Sequence, residues 1–179
     1  LKELDFRRAL FLDNETTGLT GGTGTFAFMV GLGFFQEDCF VVHQFFMRDY
    51  SEERASLSLL KETIESFQFL VTFNGRQYDI PLLETRFILS RIISKIRDMP
   101  NFDLLYPSRK IWKGAYENCR LVTLESQLLG VERTDDIPSE WIPYLYFDYI
   151  QSGDSRKIQQ VFYHNQMDIL SMVALAGRI

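Results

Sequence analysis

Only two of the 179 residues are cysteine, Cys39 and Cys119. They show no metal-type spacing and cannot build a disulfide scaffold, so free thiols in a reducing cytoplasm are expected. No apolar run reaches the roughly 18 residues of a membrane span, which excludes a spanning helix. The opening LKELDFRRALFLD lacks the n-region and h-region of a signal peptide. It also lacks an initiator Met, and the chain (1–179) reads as one domain trimmed from a longer protein. The glycine-rich LTGGTGT, residues 19–25, has no Gly-Lys-Ser/Thr ending and precedes a strand, not a helix. That excludes a phosphate-binding P-loop and leaves a hairpin connection. Internal repeats and low-complexity segments are absent.

What is present is apolar and aromatic. Hydrophobic residues make up 46% of the chain and sixteen residues are Phe, enough for one large core. The net charge of −5 argues at first against a nucleic-acid partner, but its distribution is uneven. Residues 86–120 hold eight basic and three acidic residues, against eleven and twenty-one in the remainder. Such a segment can track a phosphate backbone or form an ordinary solvated helical face. Within it Arg86, Arg91 and Lys95, at spacings of five and four, fall on roughly one face of an expected helix.

The pattern of elements is mixed. ALFLD (9–13), TFAFMVGLGFF (25–35) and CFVVHQFFM (39–47), separated by turn signals, read as a meander of three antiparallel strands. Leu57, Leu60, Ile64 and Phe67 repeat at helical spacing, and Asp49 with Glu52 resembles a capping box ahead of them. FLVTF (69–73) is a fourth strand stopped by Asn74-Gly75. A helix over about 80–96, a short strand near 101–105, a mostly helical stretch after Pro107 and a last helix over about 155–177 follow. The expected architecture is α/β: a mixed five-stranded sheet, three antiparallel strands and then parallel ones, with helices on both faces.

Three short stretches carry chemistry. In FLDNETTGLTGG, Asp13 and Glu15 flank Asn14 where the first strand meets its loop. Residues two apart on a strand point to the same side, so ionising both is costly unless a cation sits between them. A polar turn is the plainer alternative. Asp79, in VTFNGRQYDIPLLETR, stands before Pro81 as a natural helix N-cap, yet from a strand–helix junction it can also reach Asp13 and Glu15. In VFYHNQMDILSMVAL, His164 precedes Asp168 by four residues on one helical face, an arrangement that suits a site or a satisfied core pair.

Taken in order, D-x-E, N-G-x-x-x-D and H-x-x-x-D resemble the DEDD superfamily of 3′→5′ exonucleases, whose fold is RNase H-like. LFLDNETTGLTGGTGT, NGRQYDIPLLETR and YHNQMDILSMVAL are most similar to the bacterial YprB-type ribonuclease H-like group, over roughly residues 9–177. The resemblance implies that Asp13, Glu15, Asp79 and Asp168 hold metal, and that a helical-repeat region can accompany the domain. It implies hydrolysis of phosphodiester bonds at single-stranded DNA or RNA ends. Hard oxygen ligands select two divalent cations, Mg²⁺ or Mn²⁺. Asn74 and Arg76, inside the second motif, join Arg86, Arg91 and Lys95 as candidates for substrate contact. The superfamily's third motif carries Tyr four residues before the Asp or His five before it; here His164 is four before and Tyr163 five before. The resemblance therefore leaves the general base open, and an unperturbed pKa near 6.5 favours His164. The competing readings are a nucleic-acid-binding or assembly module without catalysis, and an RNase H-like endonuclease. Residues 104–153 carry no motif.

Overall fold

The alternation in ALFLDNET sets the geometry of everything around it. In the computed structural model, which describes residues 5–18, 22–134 and 136–179, these residues form strand β1 (Ala9–Thr16). β1 is the middle of a five-stranded sheet of order β3-β2-β1-β4-β5. β2 (Ala27–Gln36) and β3 (Cys39–Phe46) run antiparallel on one side. β4 (Phe69–Thr72) and β5 (Asn101–Asp103) pair in parallel on the other. This is the expected mixed sheet. The glycine-rich connection expected over 19–25 lies partly outside the described residues.

Each face of β1 feeds a different core. Leu10 and Leu12 pack with Val30, Leu32 and Leu70 under α1 (Glu53–Ile64) and α2 (Asp79–Leu89). Ala9 and Phe11 pack on the opposite face with Val71, Ile169 and Met172. The last two belong to α6 (Ser155–Ala176), which follows α3 (Leu105–Trp112), α4 (Leu121–Leu124), a π turn at Glu125–Leu129 and α5 (Ile142–Ser152). Period-two alternation then puts Asp13 and Glu15 on the α6 face. A third apolar cluster, with Phe28 stacked on Tyr146 at 3.9 Å between ring centroids, fixes α5 against β2. No helix among the described residues is long and apolar enough to cross a membrane.

Three boundaries differ from the sequence reading. β1 does not end at Asp13, because β2 continues to pair with it: Asp13 opposes Gly31 and Glu15 opposes Met29. Asp49 caps a 3₁₀ turn (Tyr50–Glu52) ahead of α1, and Glu52 reaches back to the Arg48 N–H, one residue short of a capping box. The helix expected over 80–96 stops at Leu89. Arg91 takes a left-handed φ of 56°, and the Arg91 and Ile92 N–H groups donate to the Ile88 and Phe87 carbonyls at 3.0 and 2.9 Å. That is a Schellman closure with Arg where Gly is usual, and it lets Ile96 turn back into the core.

Candidate active site

The site begins where β4 stops. β4 pairs with β1 only as far as Phe11, opposite Val71. Beyond that register, Asn14 faces the side that β4 has left. Asp79 fills the gap: its Oδ1 accepts the Asn14 backbone N–H at 3.1 Å, and the Asn14 side chain donates to the Asp79 carbonyl at 3.3 Å. Asp79 is the first residue of α2, and Tyr78 holds the N-cap position. Its carboxylate thus ties the second motif to the first, as the sequence allowed.

The N-G-x-x-x-D spacing follows from the backbone. Asn74 adopts φ 65°. A Cβ on Gly75 would lie 2.6 Å from Thr72 Cβ and 2.8 Å from Asp79 Oδ2, so only glycine passes beneath that carboxylate. Buried Asp103, at the end of β5, secures the loop by accepting the N–H groups of Asn74 (2.8 Å) and Arg76 (3.1 Å).

The third motif arrives on α6, seated unusually close to β2. A Cβ on Gly31 would lie 2.2 Å from Asn165 Oδ1, and one on Gly33 would lie 2.4 Å from Ile169 Cγ2. The two glycines leave a trench for α6. Asn165, fully buried, donates from Nδ2 to Asp13 Oδ2 at 2.9 Å and accepts from Gln44 at 3.0 Å. One position before it, His164 turns toward the same cleft.

Asp13, Glu15, Asp79, His164 and Asp168 all line one cleft of about 400 Å³, together with Asn74. Burial first, then the mutual repulsion of these carboxylates, pushes Asp13 and Glu15 well above the usual carboxylate range. Burial drives Asp79 up to about 7 against the opposing hydrogen bond from Asn14. Burial raises Asp168 as well, opposed by His164 and Arg133.

Arg133 is a partner the sequence did not suggest. Its buried guanidinium donates to Glu125, to Asp136 at 2.9 Å and to Asp168 Oδ1. Asp136 in turn meets His164 Nδ1 at 2.8 Å. His164 Nε2 lies 3.6 Å from Asp168 Oδ2 and 3.4 Å from Ser139 Oγ. Glu125, Arg133, Asp136 and Ser139 all come from the stretch without a motif. No sequence signal pointed to them.

The other candidate positions lie outside this cleft, and the shared helical face expected for Arg86, Arg91 and Lys95 is corrected. Tyr163 lines a separate surface hollow with Arg156 and Gln159, away from the cleft. Arg76 is exposed and lies in another hollow with Arg97. Arg86 is only 4% exposed: it grips Glu53 through Nε and Nη2 at 2.5 and 2.7 Å, and its guanidinium stacks 3.8 Å above the Phe26 ring. It is a structural cation and cannot meet a strand. With α2 ending at Leu89, Arg91 and Lys95 share no helical face with it, although both are exposed.

The donor set fits a divalent cation. Glu15 Oε1 is buried without a hydrogen-bond partner among the described residues. Ligand atoms of Glu15, His164 and Asp168 lie within 4.8 Å of one another.

Comparison with known proteins bears on the family and the fold. The family profile of the RNase_H superfamily matches residues 10–179. The uncharacterized protein YprB of Bacillus subtilis (strain 168) is 35% identical over 166 residues, covering 92% of this chain and 40% of its own length. The chain thus spans about two fifths of that curated relative. The fold also resembles the family B DNA polymerase of Pyrobaculum calidifontis, with a TM-score of 0.69 at 16% identity over 95% of this chain and 24% of that one. A chain of an ExoI/SSB-Ct complex matches with a TM-score of 0.53 at 15% identity over 87% and 43%.

Proposed function

Because the chain belongs to the RNase_H superfamily, we propose that it is a metal-dependent 3′→5′ exonuclease acting on single-stranded DNA or RNA ends in the cytoplasm. Membership of that superfamily supports nuclease chemistry. The observation that carries the finer reading is the convergence of the four motif carboxylates and His164 on one cleft, with Glu15 Oε1 buried and unpaired.

Asp13, Glu15, Asp79 and Asp168 would hold two divalent cations, which when bound supply charge neutralisation for the phosphate, a more acidic water and a stabilised leaving oxygen. His164 Nε2 faces the cleft and takes the proton of the attacking water. The resulting hydroxide bonds to phosphorus, the P–O3′ bond breaks, and the 3′ oxygen is reprotonated from solvent, releasing a nucleoside 5′-monophosphate. Asn165 keeps the Asp13 side chain from rotating away. Exposed Tyr78 at the cleft wall offers a face on which an unpaired base can stack.

The ion pair between Arg133 and Asp168 Oδ1 favours a second reading, a nucleic-acid-binding module of weak or absent catalysis, because a protein cation already occupies one carboxylate oxygen. One panel separates the two. With 5′-labelled linear DNA and RNA, Mg²⁺ or Mn²⁺ should yield a descending ladder that EDTA abolishes, and a circular single strand should survive. Cleavage of the circle would assign an endonuclease, and no cleavage of any substrate would leave the binding module.

A further inference from the structure

We infer that Asp136 is the positioning residue of the site: it holds the His164 imidazole by Nδ1 and so presents a bare Nε2 to the cleft. This rests on the assignment of His164 as the base and deepens it.

The geometry is specific. His164 is nearly buried and its ring has two nitrogens in different surroundings. Nδ1 meets Asp136 Oδ1 at 2.8 Å. Nε2 points to the cleft, 3.6 Å from Asp168 Oδ2 and 3.4 Å from a hydroxyl that can donate to it, Ser139 Oγ. Asp136 accepts only, so the hydrogen of a neutral imidazole lies on Nδ1 and the lone pair on Nε2. A base needs that tautomer, because the other one presents an N–H where the water must give up its proton.

Asp136 is itself held from two directions. Its Oδ1 accepts the Ile137 backbone N–H at 2.8 Å, and its Oδ2 accepts from Arg133 at 2.9 Å. Arg133 is anchored by buried Glu125 from the π turn. Thus the stretch from Glu125 to Ser139 acts as a bracket that sets the orientation of one ring. A side chain merely filling space would not need a carboxylate so oriented.

The test reads the tautomer directly. The chain has only two histidines, His43 and His164, and His43 is exposed on β3. In ¹⁵N-labelled protein with Mg²⁺ at pH 8.5, long-range ¹H–¹⁵N spectra should show His164 with hydrogen on Nδ1 and an unprotonated Nε2. Asp136→Ala should shift it toward the Nε2–H form and lower kcat roughly 10–100-fold with KM nearly unchanged. Asp136→Glu keeps an acceptor-only carboxylate and should hold the Nδ1–H tautomer and more of kcat than Asp136→Ala, whereas Asp136→Asn, which can turn an amide N–H toward Nδ1, should not. Hydrogen on Nε2 in the unaltered protein, or a tautomer indifferent to Asp136→Ala, would overturn the inference, as would unchanged kcat after a shifted tautomer. Failure of the underlying reading has its own signature: His164→Ala would cleave normally.

Discussion

Two acidic clusters meet at Asp168, and they are built on opposite terms. On one side Asp13, Glu15 and Asp79 face each other with no cation from the described residues among them, and all three are pushed toward the protonated form. On the other, Glu125, Asp136 and Asp168 surround Arg133, and Asp136 is lowered: burial raises it, but the His164 and Arg133 contacts outweigh that. The second cluster is partly balanced, one guanidinium serving three carboxylates, and Asp168 in it is still raised by burial. In the first, the charge is offset by protonation, as the raised carboxyls show, or by an added cation. Burial alone does not separate them, since Glu15 and Glu125 are both buried; the difference is whether the chain supplies the counter-charge.

The sharpest way to break the contrast is neutralisation on the unbalanced side. Asp13→Asn, Glu15→Gln and Asp79→Asn should each lower cleavage by on the order of 10³-fold, while metal-free protein melts no earlier than the parent. The Asp79→Asn amide oxygen can still accept from Asn14, so retained activity there would reduce Asp79 to a structural tie. On the partly balanced side the signs reverse. Glu125→Ala strips one of three carboxylates from buried Arg133 and should cost about 1–3 kcal/mol in denaturant unfolding, whether or not metal is added.

Acidity offers a gentler probe. A carboxyl whose folded pKa exceeds its unfolded one stabilises the protein below the unfolded value, and that stability is lost as pH rises through the folded value. Asp79 moves from 3.8 to about 7, and Asp13 and Glu15 move the same way. Without metal, thermal stability should therefore fall as pH rises from about 4 to about 7, and Mg²⁺ or Mn²⁺ should restore it at pH 7. A flat profile would mean the cluster carries no strain. The smallest effect concerns the exposed cations: Arg91→Gln with Lys95→Gln should reduce the salt slope of single-strand binding by about 0.7 per cation lost, without altering cleavage at saturation. An unchanged slope would return both to the solvated surface.

The motif side of this contrast was legible in the sequence because two of its pairs are local, while Asp79 was joined to them only through the order of the motifs and the resemblance it carries. Asp13 and Glu15 are two apart on a strand, and His164 and Asp168 four apart on a helix, so periodicity alone aligns them. The framework side was not. Arg133 reaches Asp168 across 35 residues and Asp136 reaches His164 across 28, and no spacing rule links them. Asn165 was hidden beside His164, although Gly31 and Gly33 in a long apolar strand were a trace of its close approach. Arg86 misled because charge spacing on a helix says nothing of which face is buried. The end of α2 misled because its closing residue is Arg91, without the glycine that marks such a turn.

The trench in β2 has a mechanical consequence. Asn165 and Ile169 are one helical turn apart, and each drops into the space above its own glycine, Gly31 and Gly33. A helix keyed at two points cannot slide along its axis: a slip of one turn, about 5.4 Å, would drive the branched Ile169 into the socket shaped for Asn165 or the reverse. His164 and Asp168 ride between and beside those keys, so their depth in the cleft is preset.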